Sequence, residues 1–133
     1  MRKKAPFPAS VTLEEPLRHA ACKARQILDR VGDKWSIAVI HQLGTGTKRF
    51  TELRHGIDGI SQRMLTATLR ALERDGLVRR TVHPVVPPRV DYELTPMGRT
   101  LLGTICQLLS WAFEHSDEID RARAAYDSRT ATS

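Results

Sequence analysis

The stretch from Gly59 to Gly76, GISQRMLTATLRALERDG, gathers the side chains of this sequence best suited to binding chemistry. On a helical wheel of about 100° per residue, Gln62, Arg63, Thr66, Ala67, Arg70, Glu73 and Arg74 fall on one side. Met64, Leu65, Thr68, Leu69 and Leu72 fall on the other, enough to dock a helix on a core. The wet side has groups with defined uses against base edges: Arg grips guanine through two hydrogen bonds, Gln does so with adenine, and Thr offers a hydroxyl or a methyl. A helix that reads bases presents its N-terminal turns. Here those turns carry Ser61, Gln62, Arg63 and Thr66, while the acids Glu73 and Asp75 are held to the far end. Ser61 suits the N-cap, which would also leave the helix N-terminus near a phosphate, where the dipole favours negative charge. A solvated face can have the same composition, so the helix taken alone leaves both readings open. The elements around it decide between them.

The charge of the whole chain points the same way. In 133 residues, 21 Lys and Arg stand against 15 Asp and Glu, a formal net charge of +6, a balance that favours nucleic acid or another anionic surface as partner. Between Thr45 and Val90 there are nine basic residues and four acidic ones, so the excess sits in the middle third. Other chemistries find no support. His19, His41, His55, His83 and His115 are scattered without a ligand spacing, and Cys22 and Cys106 match neither a metal site nor a disulfide framework. No serine, histidine and carboxylate set, glycine-rich phosphate loop or carboxylate pair stands out, so no enzyme activity, cofactor or metal is expected. No segment approaches the roughly 20 apolar residues of a membrane helix. A protein free of the membrane, in the cytoplasm and associated with the nucleoid, is the expectation.

One domain of this length can bury one core. Residues 1–15, rich in proline and opening Arg2, Lys3, Lys4, read as a flexible N-terminal arm. From Cys22 the spacing of Ala24, Ile27, Leu28 and Val31 is helical and stops at Gly32. Asp33 caps a core helix, KWSIAVIHQL, that ends at Gly44. After a turn and an extended residue or two, Thr51 is placed to cap a short helix, ELRHGI, and a four-residue link leads into the helix at Gln62. Gly76 ends that helix. LVRRTVH and RVDYEL then read as two strands joined by the proline-stiffened PVVPP, a hairpin. Thr95 with Pro96 opens a last helix with an apolar stripe of Met97, Leu101, Ile105, Leu108, Leu109 and Ala112, widened by Trp111 and Phe113 and reaching about Tyr126. Cys106, beside that stripe, reads as a packing residue. The fold class is therefore mainly α with a small β-hairpin, a winged helix-turn-helix. Residues 16–127 form the DNA-binding and dimerisation domain, and 128–133 a frayed C-terminus.

The segments CKARQILDRVGDKW, RFTELRHGIDGISQRMLTATLRALERDGLVRR and PPRVDYELTPMGRTL, with the Trp of LLSWAFEH, resemble the HxlR-type transcriptional regulators, MarR-like winged-helix proteins of bacteria and archaea. The resemblance runs from about Cys22 to His115 and implies a homodimer, held by terminal helices, that binds double-stranded operator DNA and controls a nearby gene. By motif position it implies that Gly59, Ile60, Ser61 and Gln62 open the recognition helix, that Arg63, Thr66 and Arg70 project from it, and that Pro88, Arg89 and Val90 lead out of the wing. Several such regulators use a cysteine just before the first core helix as a thiol sensor, often as Cys-Pro; here it is Cys22-Lys23. Lys23, and a helix N-terminus if one lies close, would favour the thiolate. The alternative is a small apolar residue. An oxidant or a small molecule is the kind of signal implied.

Around the recognition helix, Lys48, Arg49 and Thr51 are placed to meet the sugar-phosphate backbone and fix register, with a solvated loop as the alternative. Arg79, Arg80 and Arg89 belong to the hairpin, and a wing arginine can enter a minor groove. Arg79 and above all Arg89 are the candidates; an ion pair of Arg89 with Asp91 or Glu93 is the competing reading. Leu101, Ile105, Leu108, Leu109, Trp111 and Phe113 are assigned to a dimer interface, against packing on their own domain. A two-fold dimer would set two recognition helices about 34 Å apart. The competing function is a winged helix that docks a protein and not DNA. A protein-binding face would more often expose aromatics than arginines.

Overall fold

The computed structural model describes residues 15–131. Its elements run α1 (Glu15–Gly32), α2 (Lys34–Leu43), β1 (Lys48–Arg49), α3 (Phe50–Gly56), α4 (Gln62–Arg74), β2 (Val78–His83), β3 (Arg89–Leu94) and α5 (Pro96–Ala131). The order is that of a mainly helical winged helix-turn-helix with a long last helix.

Local chemistry sets most of the boundaries. The Asp33 carboxylate accepts from the backbone N–H of Trp35 at 3.2 Å and from the Ser36 hydroxyl at 3.1 Å, which caps α2 and also satisfies a fully buried serine. At α4 the Ser61 hydroxyl accepts from the Met64 N–H at 3.1 Å. At α5 the Thr95 hydroxyl accepts from the Gly98 N–H at 3.0 Å and donates to the Gly76 carbonyl at 2.6 Å, so a single side chain caps one helix and ties it to the end of another. Gly76, with φ of +76°, supplies the left-handed residue that turns α4 into β2.

Three expected boundaries are corrected. Helix α1 begins at Glu15, not near Cys22. Thr51 is not the cap of α3, which starts two residues earlier than expected, at Phe50; its N-cap is Arg49, whose N–H donates to Glu52 Oε1 at 3.0 Å, the half of a capping box that needs no hydroxyl at the N-cap. Helix α5 runs to Ala131, beyond the expected end near Tyr126 and through the start of the segment expected to fray. The N-terminal arm, Glu15 apart, lies outside the described residues.

The core joins α2, α3, α4, α5 and the base of the wing: Val39, Ile40, Leu43, Leu53, Leu65, Leu69, Leu72, Val78, Leu94 and Ile105 are buried together. The buried face of α4, Leu65, Thr68, Leu69 and Leu72, is the one the wheel predicts; Met64 stays at the surface. The two-residue β1 joins the hairpin to make a three-stranded antiparallel sheet in the order β1-β3-β2. Lys48 is registered with Tyr92 and Arg49 with Asp91, while Arg80 is registered with Tyr92 from the other side.

Two helices keep apolar surface. On α1, Ile27 and Leu28 are 58% and 65% exposed, and α1 is tied to the end of α4 by Arg30 Nε and Asp75 Oδ2 at 2.7 Å. On α5, Leu108, Leu109, Trp111, Phe113 and Tyr126 are exposed. Cys106 is also exposed, against the expectation that it packs. It lies one residue, about 100° of helix turn, beyond the buried Ile105.

Candidate nucleic-acid interface

Helix α4 is seated by four buried side chains and capped at both ends, so its outer row is held rigidly. Gln62, Arg63, Thr66, Ala67 and Arg70 line one open depression of about 520 Å³ along that row. The first turn carries no acid. The Thr66 hydroxyl donates to the Gln62 carbonyl at 2.8 Å. Its proton is thereby committed to the backbone, and its methyl and lone pairs are what it can offer a base.

The flanking candidates divide. Arg49 and Thr51, at the start of α3, and Arg89, at the exit of the wing loop, line a second cleft of about 470 Å³ with Val85, Val86, Pro87 and Pro88. Residues distant in sequence are thus brought to one place. Arg89 Nε also lies 3.6 Å from Asp91 Oδ1, the ion pair weighed against its groove role, and Asp91 Oδ2 is 2.8 Å from His83 Nε2. Arg79 is not brought to α4: its Nη1 donates to Glu93 Oε1 at 3.1 Å. Lys48 stands on the edge strand β1.

Sequence reasoning passed over Arg80 and Tyr92. Both line a notch of about 320 Å³ with Thr66, Leu69 and Arg70 of α4. The alternation of RVDYEL puts Tyr92 on one face with Val90 and Leu94, but only the register of β3 with β1 and β2 shows what stands beside it. Of the expected interface residues on α5, Leu108, Leu109, Trp111 and Phe113 are exposed, whereas Ile105, 1% exposed, and the half-buried Leu101 pack within their own chain. Cys22 is exposed on α1. Because α1 starts about two turns before it, Cys22 lies beyond the first turn, where a helix N-terminus would assist a thiolate. Among the described residues no group of His, Cys, Asp and Glu could hold a metal, and no helix is long and apolar enough to cross a membrane.

A short helix, a capped second helix with a cationic outer row, and a three-stranded wing beside it define a winged helix-turn-helix protein. Residues 30–120 match the HxlR-like helix-turn-helix family, and the chain belongs to that family of transcriptional regulators. The HTH-type transcriptional regulator YdeP of Bacillus subtilis is 44% identical over 104 residues, 78% of this chain and 81% of that protein. Two solved structures are similar in both sequence and fold. The redox regulator HypR in its reduced form is 40% identical, with a TM-score of 0.69 over 74% of this chain and 98% of HypR. Diamide-treated YodB from B. subtilis is 36% identical, with a TM-score of 0.63 over 69% of this chain and 91% of YodB. These relatives are regulators, not enzymes.

Proposed function

We propose that the chain is a dimeric, sequence-specific operator-binding regulator, with residues 16–127 as its DNA-binding and dimerisation domain. The observation that carries this reading is the rigid, acid-free row of Gln62, Arg63, Thr66 and Arg70 on the outer side of α4, opened by the Ser61 cap. In the major groove Gln62 and Arg63 read base edges, Thr66 offers its methyl, and the helix N-terminus at Ser61 meets a phosphate. Lys48, Arg49 and Thr51 fix register on the backbone. Arg89, at the wing loop, enters the adjoining minor groove after leaving Asp91.

The exposed apolar side chains of α1 and α5 support dimerisation through the terminal helices, with Leu108, Leu109, Trp111 and Phe113 at the interface. A two-fold axis there would present both copies of α4 to successive major grooves. The exposure of Cys22 and the likeness to the redox regulator HypR support an oxidant-responsive thiol at that position.

The test is equilibrium binding, at one fixed salt concentration, of the full chain to the duplex upstream of its own gene and to random duplex. The upstream duplex should bind at least 10³-fold more tightly, as specific binders do. Arg63→Gln should narrow that ratio by about tenfold or more, while Lys48→Gln should weaken both duplexes alike. Equal affinity of the unaltered protein for the two duplexes would overturn the reading, and capture of a protein partner without DNA would favour an interaction module.

A further inference from the structure

The two faces of the wing are electrically unlike. Residues alternate between faces along a strand, and cross-strand partners share a face. The register pairs Arg79 with Glu93, Thr81 with Asp91 and His83 with Arg89, so both acids of β3 lie on one face. There they are occupied: Glu93 holds Arg79 at 3.1 Å, and Asp91 holds His83 at 2.8 Å and Arg89 at 3.6 Å. The other face carries the row Lys48, Tyr92, Arg80 across all three strands. No Asp or Glu of the strands alternates onto it. At its base this face is closed by the buried Val78 and Leu94.

Beyond that base, α4 completes a notch. Arg70 and Thr66 from the helix, Arg80 and Tyr92 from the sheet, and the buried Leu69 line about 320 Å³. Among the described residues, neither Arg70 nor Arg80 has an acidic or hydrogen-bonded side-chain partner. Two guanidinium groups facing one small space without a carboxylate repel each other until an anion enters. Thr66 and Arg70 also line the depression that holds Gln62 and Arg63, so the notch is continuous with the row assigned to base reading.

We propose that this notch seats a single backbone phosphate of the bound duplex, gripped by Arg70 and Arg80, with Tyr92 as its wall. The assignment rests on the reading that α4 enters the major groove; the phosphate is then one at the edge of that groove, where the strand passes between helix and wing. It makes Arg80 a phosphate contact of the wing, while the charge of its neighbour Arg79 is already balanced by Glu93. It also turns Arg70 from a base toward the backbone.

The experiment is a salt series with the full-length protein, on its upstream duplex and on random duplex, for the wild type, Arg80→Gln and Arg79→Gln. Loss of one phosphate contact lowers the log–log salt slope by about 0.9. A bound dimer carries two notches, so Arg80→Gln should lose twice that, ~1.8, and weaken both duplexes by the same factor, with its melting temperature unchanged. Arg79→Gln should change the slope by less than half as much. Neutral methylphosphonate replacing the upstream phosphates one at a time should then find one position in each half-site at which the wild type loses affinity and Arg80→Gln does not. A wild-type slope in Arg80→Gln overturns the notch, as does a loss of discrimination in place of a uniform loss. If the wild type discriminates between duplexes while Arg80→Gln keeps its slope, only the notch fails. If the wild type binds no duplex, both proposals fail.

Discussion

Two glycines of the same helix should respond to alanine in opposite directions, and the comparison tests how α5 is joined to the wing. Gly98 is buried in the first turn of α5. A methyl built on it would overlap the Leu77 carbonyl oxygen and stand 3.3 Å from Leu94 Cδ2. The backbone it strikes is pinned: the Leu77 carbonyl accepts from the Thr95 N–H at 3.0 Å, and the adjacent Gly76 carbonyl accepts from the Thr95 hydroxyl at 2.6 Å. No rotamer change relieves the overlap, so α5 must move away from the start of β2. Overpacking of this kind costs about 1–3 kcal/mol, and weakening two hydrogen bonds adds about 0.5–1.5 kcal/mol for each. Alanine returns somewhat less than about 1 kcal/mol through helix propensity. The net loss for Gly98→Ala is about 1–5 kcal/mol, a fall in melting temperature on the order of 10 °C for a domain of this size. Gly103 has nothing within 4 Å of the corresponding position, so Gly103→Ala keeps only the propensity gain and should melt about 2–3 °C higher. The assay is thermal unfolding by circular dichroism at a fixed protein concentration. A Gly98→Ala protein that melts within 2–3 °C, roughly the propensity gain alone, of the wild type would refute the close approach of α5 to Leu77.

Three further outcomes follow from individual contacts. Ser61→Ala removes the acceptor of the Met64 N–H, so stability should fall by about 1 kcal/mol and DNA affinity should drop with it; a cap that does nothing would leave both unchanged in melting and titration. Leu109→Glu places a charge on the exposed apolar side of α5, and sedimentation should show monomers where the wild type shows dimers. An unchanged dimer would remove that side of α5 from the interface. Oxidation by diamide should alter operator affinity in the wild type and not in Cys22→Ser; an equal response in both would strike Cys22 from the account.

Much of the fold can be read along the chain because its signals are local. Asp33, Ser61 and the pair Thr95-Pro96 start helices through side-chain oxygens that reach only a turn ahead, and Gly76 ends one through a conformation open to glycine. The buried face of α4 follows from its own period, and so does the row of Gln62, Arg63, Thr66 and Arg70. Where a second signal competes, the local rule fails. Thr51 looks like a cap, but Glu52 accepts the Arg49 N–H and starts α3 earlier. Cys106 neighbours an apolar stripe, yet the turn of the helix carries it outward.

By itself, then, the sequence determined the helices, the hairpin, the placement of acids behind the row of Gln62, Arg63, Thr66 and Arg70, and the family. Tertiary structure decided what those elements do to one another. That two residues at Lys48 and Arg49 make a strand depends on Tyr92 and Asp91 across the sheet; that Arg79 is balanced and Arg80 is not depends on which face each shares with Glu93 or Tyr92. That α1 is held against the end of α4 depends on Arg30 meeting Asp75. Each of these is a contact between residues far apart in the chain, and a pattern of period 3.6 or 2 has no information about which distant strand lies alongside or which charge it brings.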